Sequence, residues 1–211
     1  MAPDELRLVA IVGPPTVPAS HVVAASEAAV RGGVTAVQLR LKRAGAAEQL
    51  ALARALVERL AVPVYVNDRA DVALAAAARG VHVGWDDLDP TAIRSVAGDR
   101  LIVGLSVGDR AEAAAARGAP VDYWSIGSIF RTSTKPDAGT PIGPSGFRTL
   151  AQAAPSATPA IAIGGITSRN APEVIACGAA GVAVSSAIFG ASDVAAAARD
   201  LRTAVEGALS R

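Results

Sequence analysis

The chain has little of several things, and each shortage excludes something. It carries one cysteine, Cys177, in 211 residues, so no internal disulfide can staple it, which fits a reducing compartment. Aromatic residues make up only 3% of the chain. Its core must therefore be filled by aliphatic side chains and by alanine-rich helices that approach one another closely. The net charge is +1, too small for a broad nucleic-acid surface, so any basic site must be local. No apolar run reaches the roughly 20 residues that span a bilayer. The opening Met1-Ala2-Pro3-Asp4-Glu5 is acidic and lacks a signal-peptide pattern. The expectation is a cytoplasmic protein with neither nucleic acid nor membrane as partner. Cys177 stands before Gly178, near the end of a predicted helix, and reads as a small buried thiol rather than a nucleophile.

What is present points to an α/β fold. The chain is 51% hydrophobic and 18% charged, as globular proteins are, and its length suits a single domain over residues 1–211. Short β-rich runs alternate with Ala-rich stretches from end to end. The runs predict strands at Leu6–Val12, Ala36–Arg40, Val62–Val66, Gly80–Val83, Leu101–Leu105, Val121–Ile126, Ala160–Ile163 and Gly181–Val184. Helices are predicted near Ser20–Arg31, Ala46–Leu60, Ala70–Ala78, Pro90–Ala97, Arg110–Arg117, Pro144–Ala153, Asn170–Ala176 and Val194–Leu209. Such an alternation, at about 26 residues per unit, is that of a compact (β/α)8 TIM barrel. The strands are near-continuous apolar runs, as expected where both faces are buried. Gly32-Gly33, Gly80, Gly118, Gly178 and Gly181 stand just before strands, where helix C-caps belong. An open doubly wound sheet is the rival, but the first turn, Gly13-Pro14-Pro15-Thr16, is not the glycine-rich turn of that fold.

In such a barrel all strand C-termini open on one face, so the polar residues at those ends carry the chemistry. The second strand ends Gln38-Leu39-Arg40-Leu41-Lys42 and the third Asn67-Asp68. The fourth leads through His82-Val83-Gly84-Trp85 to Asp86-Asp87, and the fifth ends in Ser106. The sixth delivers Thr132-Ser133-Thr134-Lys135, a loop of hydroxyls and an ammonium that suits anionic oxygens. The seventh and eighth end in Gly164-Gly165 and Ser185-Ser186. Arg40, Lys42 and Lys135 read as a polyphosphate site. Asp68 and Asp87 read as a magnesium site, since Mg2+ takes one or two carboxylates plus water and substrate phosphate. The same aspartates also suit helix N-caps. Gly164-Gly165 with Ser185-Ser186 read as a second anion site, built from backbone N–H groups and hydroxyls. Two anion sites imply two phosphorylated ligands, or one long one. His82 reads as a packed strand histidine.

These motifs together resemble thiamine phosphate synthase, from about Gln38 to Phe189. The marks are Gln38-Leu39-Arg40-Leu41-Lys42, Val66-Asn67-Asp68-Arg69, Gly80-Val81-His82-Val83-Gly84, Asp87-Leu88, Thr132-Ser133-Thr134-Lys135-Pro136, Ala162-Ile163-Gly164-Gly165-Ile166 and Gly181-Val182-Ala183-Val184. The resemblance implies a (β/α)8 transferase that joins hydroxymethylpyrimidine diphosphate to hydroxyethylthiazole phosphate, releasing pyrophosphate with Mg2+ as cofactor. It implies that Gln38, Arg40, Lys42, Asn67 and Lys135 bind the pyrimidine diphosphate and that Asp68 and Asp87 hold the metal. Ser106 would contact the pyrimidine. Thr132, Ser133, Thr134, Gly165, Ser185 and Ser186 would bind the thiazole phosphate. Lys42, Lys135 and Ser106 would be the catalytic side chains, acting by dissociative substitution without a nucleophile–base pair.

Some positions depart from that pattern. Leu41 stands where glutamate is usual, Trp85 where glutamine is common, and Val107-Gly108-Asp109 replaces a threonine–histidine pair. The first strand ends Val12-Gly13-Pro14 in place of Thr-Asp. Two other functions compete: a thiazole tautomerase, which is related but lacks the asparagine–aspartate and threonine–lysine motifs, and a non-catalytic barrel that binds a phosphorylated metabolite. The partners expected are small phosphorylated substrates, and a homo-oligomer stays open.

Overall fold

The computed structural model describes residues 3–132 and 140–211. Its elements run β1 (Leu8–Val12), α1 (Val22–Arg31), β2 (Ala36–Leu39), α2 (Ala46–Arg59), β3 (Val64–Asn67), α3 (Ala70–Ala75), β4 (Gly80–Val83) and α4 (Pro90–Ala97). They continue with β5 (Ile102–Val107), α5 (Arg110–Ala116), β6 (Tyr123–Ile126), α6 (Gly143–Ala151), β7 (Ala160–Ile163), α7 (Ala171–Ile175), β8 (Val182–Val184), α8 (Ser186–Phe189) and α9 (Val194–Leu209). All eight strands are parallel and close into a barrel in sequence order, with β8 returning to β1 at Ala10↔Val184. The expected TIM barrel is therefore the fold.

Most boundaries fall within one or two residues of the expectation; α3 is the exception, ending at Ala75 rather than Ala78, just before Ala77 turns left-handed with φ of 52°. The apolar run after β6 continues to Ile129, yet the strand stops at Ile126. Ile129 is fully buried all the same, because the chain crosses onto β7 and its N–H reaches Ile163 O at 2.9 Å. An apolar run reports burial, not strand geometry. Gly33 and Gly178 are left-handed residues after helices, as predicted. Gly80 and Gly181 are not caps: Gly80 is the first residue of β4, and a Cβ on Gly181 would stand 2.0 Å from Leu6 O. Helix α8, only four residues long, has no periodicity to announce it. Cys177 is half-buried rather than buried.

The period-two alternation of the strands divides the core in two. Outward residues such as Leu8, Val37, Val66, Val81, Leu105, Trp124, Ala162 and Val182 pack under the helices. Inward residues form a separate cluster, Leu6, Val9, Ala36, Tyr65, Ile102, Tyr123, Ile161 and Ala183, which plugs the lower barrel. The two tyrosines are its largest members, meeting edge to face with centroids 6.1 Å apart. They fit because their neighbours on β4 and β5 are glycines. A Cβ on Gly104 would lie 2.1 Å from the Tyr123 ring. Above this plug the inward side chains turn polar.

Gly104→Ala should therefore overpack the barrel interior and destabilise the protein by about 1–3 kcal/mol. Urea unfolding measures it; an unchanged midpoint would show that the barrel yields without strain.

Candidate active site

Five inward side chains at the upper ends of the strands, Gln38, Asn67, His82, Ser106 and Ser125, form the polar floor of a cavity of about 230 Å3. They sit side by side because strand register places them so: Asn67 pairs with His82 and Ser106 with Ser125. Their hydrogen bonds run across the barrel. Gln38 Nε2 donates to Asn67 Oδ1 at 2.7 Å, and Asn67 Nδ2 donates in turn to Asp68 Oδ1. His82 joins Ser106 Oγ at 3.0 Å and the Tyr123 hydroxyl at 3.1 Å. Buried polar groups held in this way are oriented before any ligand arrives.

The charged wall stands above Asn67. Lys42 Nζ lies 2.7 Å from Asp68 Oδ2. Asp87 accepts the Gly84 N–H at 2.8 Å and faces Asp68. Neither aspartate caps a helix: α3 has no side-chain cap, and α4 is capped by Asp89, which accepts from Thr91 N. Asp86 is exposed and lies off the cavity, whereas Asp87 lines it. Burial, and after it the facing Asp87, push the Asp68 carboxyl above its ordinary range, with Lys42 pulling the other way. Burial raises Asp87 too. The Gly84 N–H, the Asp68 carboxyl and the charge of Lys42 outweigh it and hold Asp87 below its ordinary value. The two acids thus differ in proton affinity, with a shared proton favoured on Asp68. Two facing carboxylates are a donor pair able to take a divalent cation in place of a proton. Among the described residues no cluster of three or more His, Cys, Asp or Glu side chains could hold a metal alone. That donor set fits a hard cation completed by water and phosphate oxygen.

The opposite wall is neutral. Gly164 and Gly165 both have positive φ, 98° and 64°. A Cβ on Gly165 would come within 2.5 Å of Arg131 O, so no side chain stands between this backbone and the cavity. Asn170 braces the turn, its Oδ1 accepting Thr167 N–H at 2.7 Å and its Nδ2 donating to Gly165 O at 3.0 Å. Ser185 and Ser186 open α8, and Ser185 Oγ donates to Thr16 Oγ1 at 3.2 Å, tying the first loop to the last strand. Thr132 completes this side.

Every described residue among the expected site set lines this one cavity: Gln38, Arg40, Lys42, Asn67, Asp68, Asp87, Ser106, Thr132, Gly165, Ser185 and Ser186. Ser133, Thr134 and Lys135 lie outside the described residues. His82 is both packed and at the site. Ser125 and Ser128, also in the lining, went unnoticed. Counting in twos from Tyr123 would have turned Ser125 inward. The departures are mostly accounted for. Leu41 is buried in the outer core, and Trp85 is exposed. Asp109 caps α5 by accepting Glu112 N at 2.9 Å, while Glu112 accepts Gly108 N at 2.6 Å. The loop after β5 is thereby a helix start.

Comparison with known proteins gives a consistent set. The family model described as thiamine monophosphate synthase matches residues 8–188. A thiamine-phosphate synthase of Azorhizobium caulinodans is 47% identical over 183 residues, covering 85% of each chain. One from Chloroflexus aurantiacus is 47% identical over 182 residues, covering 85% of this chain and 83% of its own. The solved thiamine phosphate pyrophosphorylase from Pyrococcus furiosus superposes with a TM-score of 0.87 at 35% identity, covering 98% of both chains.

Asp68 is left-handed, with φ of 66°, a conformation open to Asp and Asn and strained for other side chains. Its ion pair with Lys42 is half-exposed on the lysine side, at 48%, so the pair itself adds little stability. Asp68→Asn should fold with near-native stability and Asp68→Ala should be weaker by about 1 kcal/mol. Denaturant midpoints compare the two; equal values would show that the backbone at this position is not strained.

Proposed function

The chain belongs to the thiamine monophosphate synthase family and carries that family's transferase activity; on this premise we propose how its cavity divides the work. The observation that carries the reading is the meeting of two unlike anion sites across one polar floor: Lys42, Asp68 and Asp87 on one wall, Gly165, Ser185 and Ser186 on the other. The substrates are hydroxymethylpyrimidine diphosphate and hydroxyethylthiazole phosphate or its carboxylated form.

Arg40 and Lys42 take the diphosphate; the family resemblance adds Lys135, which lies outside the described residues. Gln38, Asn67 and Ser106 hold the pyrimidine on the floor. Asp68 and Asp87 would hold Mg2+, which when bound neutralises diphosphate oxygens and so eases their departure. The C–O bond between the pyrimidine methylene and the diphosphate breaks with its electron pair going to the leaving oxygen. Lys42 and Lys135 stabilise that charge. The electron-rich ring leaves a stabilised methylene cation, and the thiazole nitrogen donates its lone pair to it, forming the C–N bond. With hydroxyethylthiazole phosphate no proton transfer is required, which suits a site without a nucleophile–base pair; the carboxylated form would in addition release CO2 and take up one proton from solvent. The Gly164-Gly165 backbone and the Ser185 and Ser186 hydroxyls anchor the thiazole phosphate and so aim the nitrogen. Fixing both reactants can supply about 7–11 kcal/mol of the barrier reduction. The apolar side chains lining the cavity, Ile11, Ile163 and Ile166, keep water from the cation.

Purified protein given both substrates and Mg2+ should release pyrophosphate and form thiamine phosphate in equal amounts. Folded protein that yields neither refutes the assignment. The two walls should separate kinetically. Ser185→Ala with Ser186→Ala should raise KM for the thiazole phosphate about tenfold or more, since each lost hydrogen bond to a charged group is worth roughly 1.5–3 kcal/mol, and leave KM for the pyrimidine diphosphate unchanged. Asp87→Asn should raise the Mg2+ concentration needed for half-maximal rate. A variant that alters both KM values equally would show that the walls do not act separately.

A further inference from the structure

Three inward residues on neighbouring strands form a chain that ends at the substrate floor. Tyr123 on β6 is buried at the top of the barrel plug, His82 on β4 lies above it, and Ser106 on β5 opens to the cavity. His82 Nδ1 is 3.1 Å from the Tyr123 hydroxyl, and Nε2 is 3.0 Å from Ser106 Oγ. The imidazole is held in plane by stacking on the Tyr123 ring, centroids 5.6 Å apart at 30°. We propose that Tyr123 and His82 are positioning residues that set the hydrogen-bonding sense of Ser106: Tyr123 O–H donates to His82 Nδ1, His82 Nε2–H donates to Ser106 Oγ, and Ser106 turns its own proton into the cavity toward an acceptor atom of the pyrimidine. This rests on the assignment of the floor to the pyrimidine.

The direction follows from where protons can go. A neutral imidazole has one N–H and one lone pair, and its neighbours decide which nitrogen bears which. Among the described residues the Tyr123 hydroxyl has His82 Nδ1 as its hydrogen-bonding partner. Were Nδ1 to carry the proton, the phenol would become an acceptor and its own proton would be buried without one. Leaving a buried donor unmade disfavours that tautomer by about tenfold or more. Burial pushes the Tyr123 phenol above its ordinary value, so it keeps its proton. With Nδ1 accepting, Nε2 must donate, and Ser106 Oγ is left with a hydrogen to give. A hydroxyl that accepts one hydrogen bond is polarised into a better donor. Such a donor matches the lone pair of a pyrimidine ring nitrogen and mismatches an N–H at the same place. A buried polar group left unpaired by the wrong ligand is the strongest source of selectivity a pocket has. The triplet thus chooses which edge of the ring faces β5.

The imidazole nitrogens report the arrangement directly. The chain has two histidines, so a long-range 1H–15N spectrum of the full protein, with His21→Gln to identify the second set, reads His82 alone. The expected pattern is a pyridine-type Nδ1 and a pyrrole-type Nε2. Tyr123→Phe, which keeps the ring and removes the donor, should shift both nitrogens. By calorimetry it should weaken binding of the pyrimidine diphosphate about tenfold and leave binding of the thiazole phosphate unchanged. A protonated Nδ1 in the unaltered protein overturns the proposal, as does a Tyr123→Phe variant that binds both ligands equally less well. The spectrum needs no turnover, so it stands apart from any failure of the coupling reaction itself.

Discussion

A closed ring of parallel strands has no edge, and every backbone group along it finds its partner next door. Closure leaves each strand with only two directions in which to place a side chain, toward the helices or into the barrel. One parity is spent on the outer core of valine, leucine, isoleucine and alanine. The other is shared between the plug and the site. The two tyrosines and their apolar neighbours close the lower barrel, so inward residues higher up have solvent and ligand on one side only. The polar floor is the consequence: Gln38, Asn67, His82, Ser106 and Ser125 stand at inward positions where a polar group is both held and reached.

Electrostatics then divides the cavity mouth. Lys42, Asp68 and Asp87 form a compact charged group in which each member restrains the others, the lysine and the Gly84 N–H favouring ionised carboxylates against burial. Across from it the glycine turn after β7 and the serines after β8 carry no formal charge and offer backbone and hydroxyl donors. On the proposed reading, that contrast tells a strongly charged diphosphate from a single phosphate before any base or ring is read. The first loop joins this arrangement through the Thr16–Ser185 hydrogen bond, so positions far apart in the chain share one neutral wall.

The departures from the resemblance are largely structural accommodations. Leu41 points into the outer core and away from the cavity. Asp109 and Glu112 satisfy the first N–H groups of α5 and of the loop before it, a task that competes with placing a histidine there. Trp85 is exposed beside Asp86, and nothing in the structure explains it.

Much was legible in the chain. Alternating apolar runs and alanine-rich stretches determine eight strands and their helices, because burial on both faces demands continuous hydrophobicity and close helix packing tolerates only small residues. The motif residues at the strand ends were legible too, since parallel closure sends all those ends to one face. What the chain alone left undecided is what depends on register and on contact between distant strands. His82 reads as packing until Asn67, Ser106 and Tyr123 are brought beside it. Asp86 and Asp87 are neighbours in the chain, and the Gly84 N–H is what turns Asp87 inward. Ile129 lies past the end of β6, and what buries it is settled only where the chain crosses onto β7. Local pattern records how buried a residue is; only the closed barrel decides what it is buried against.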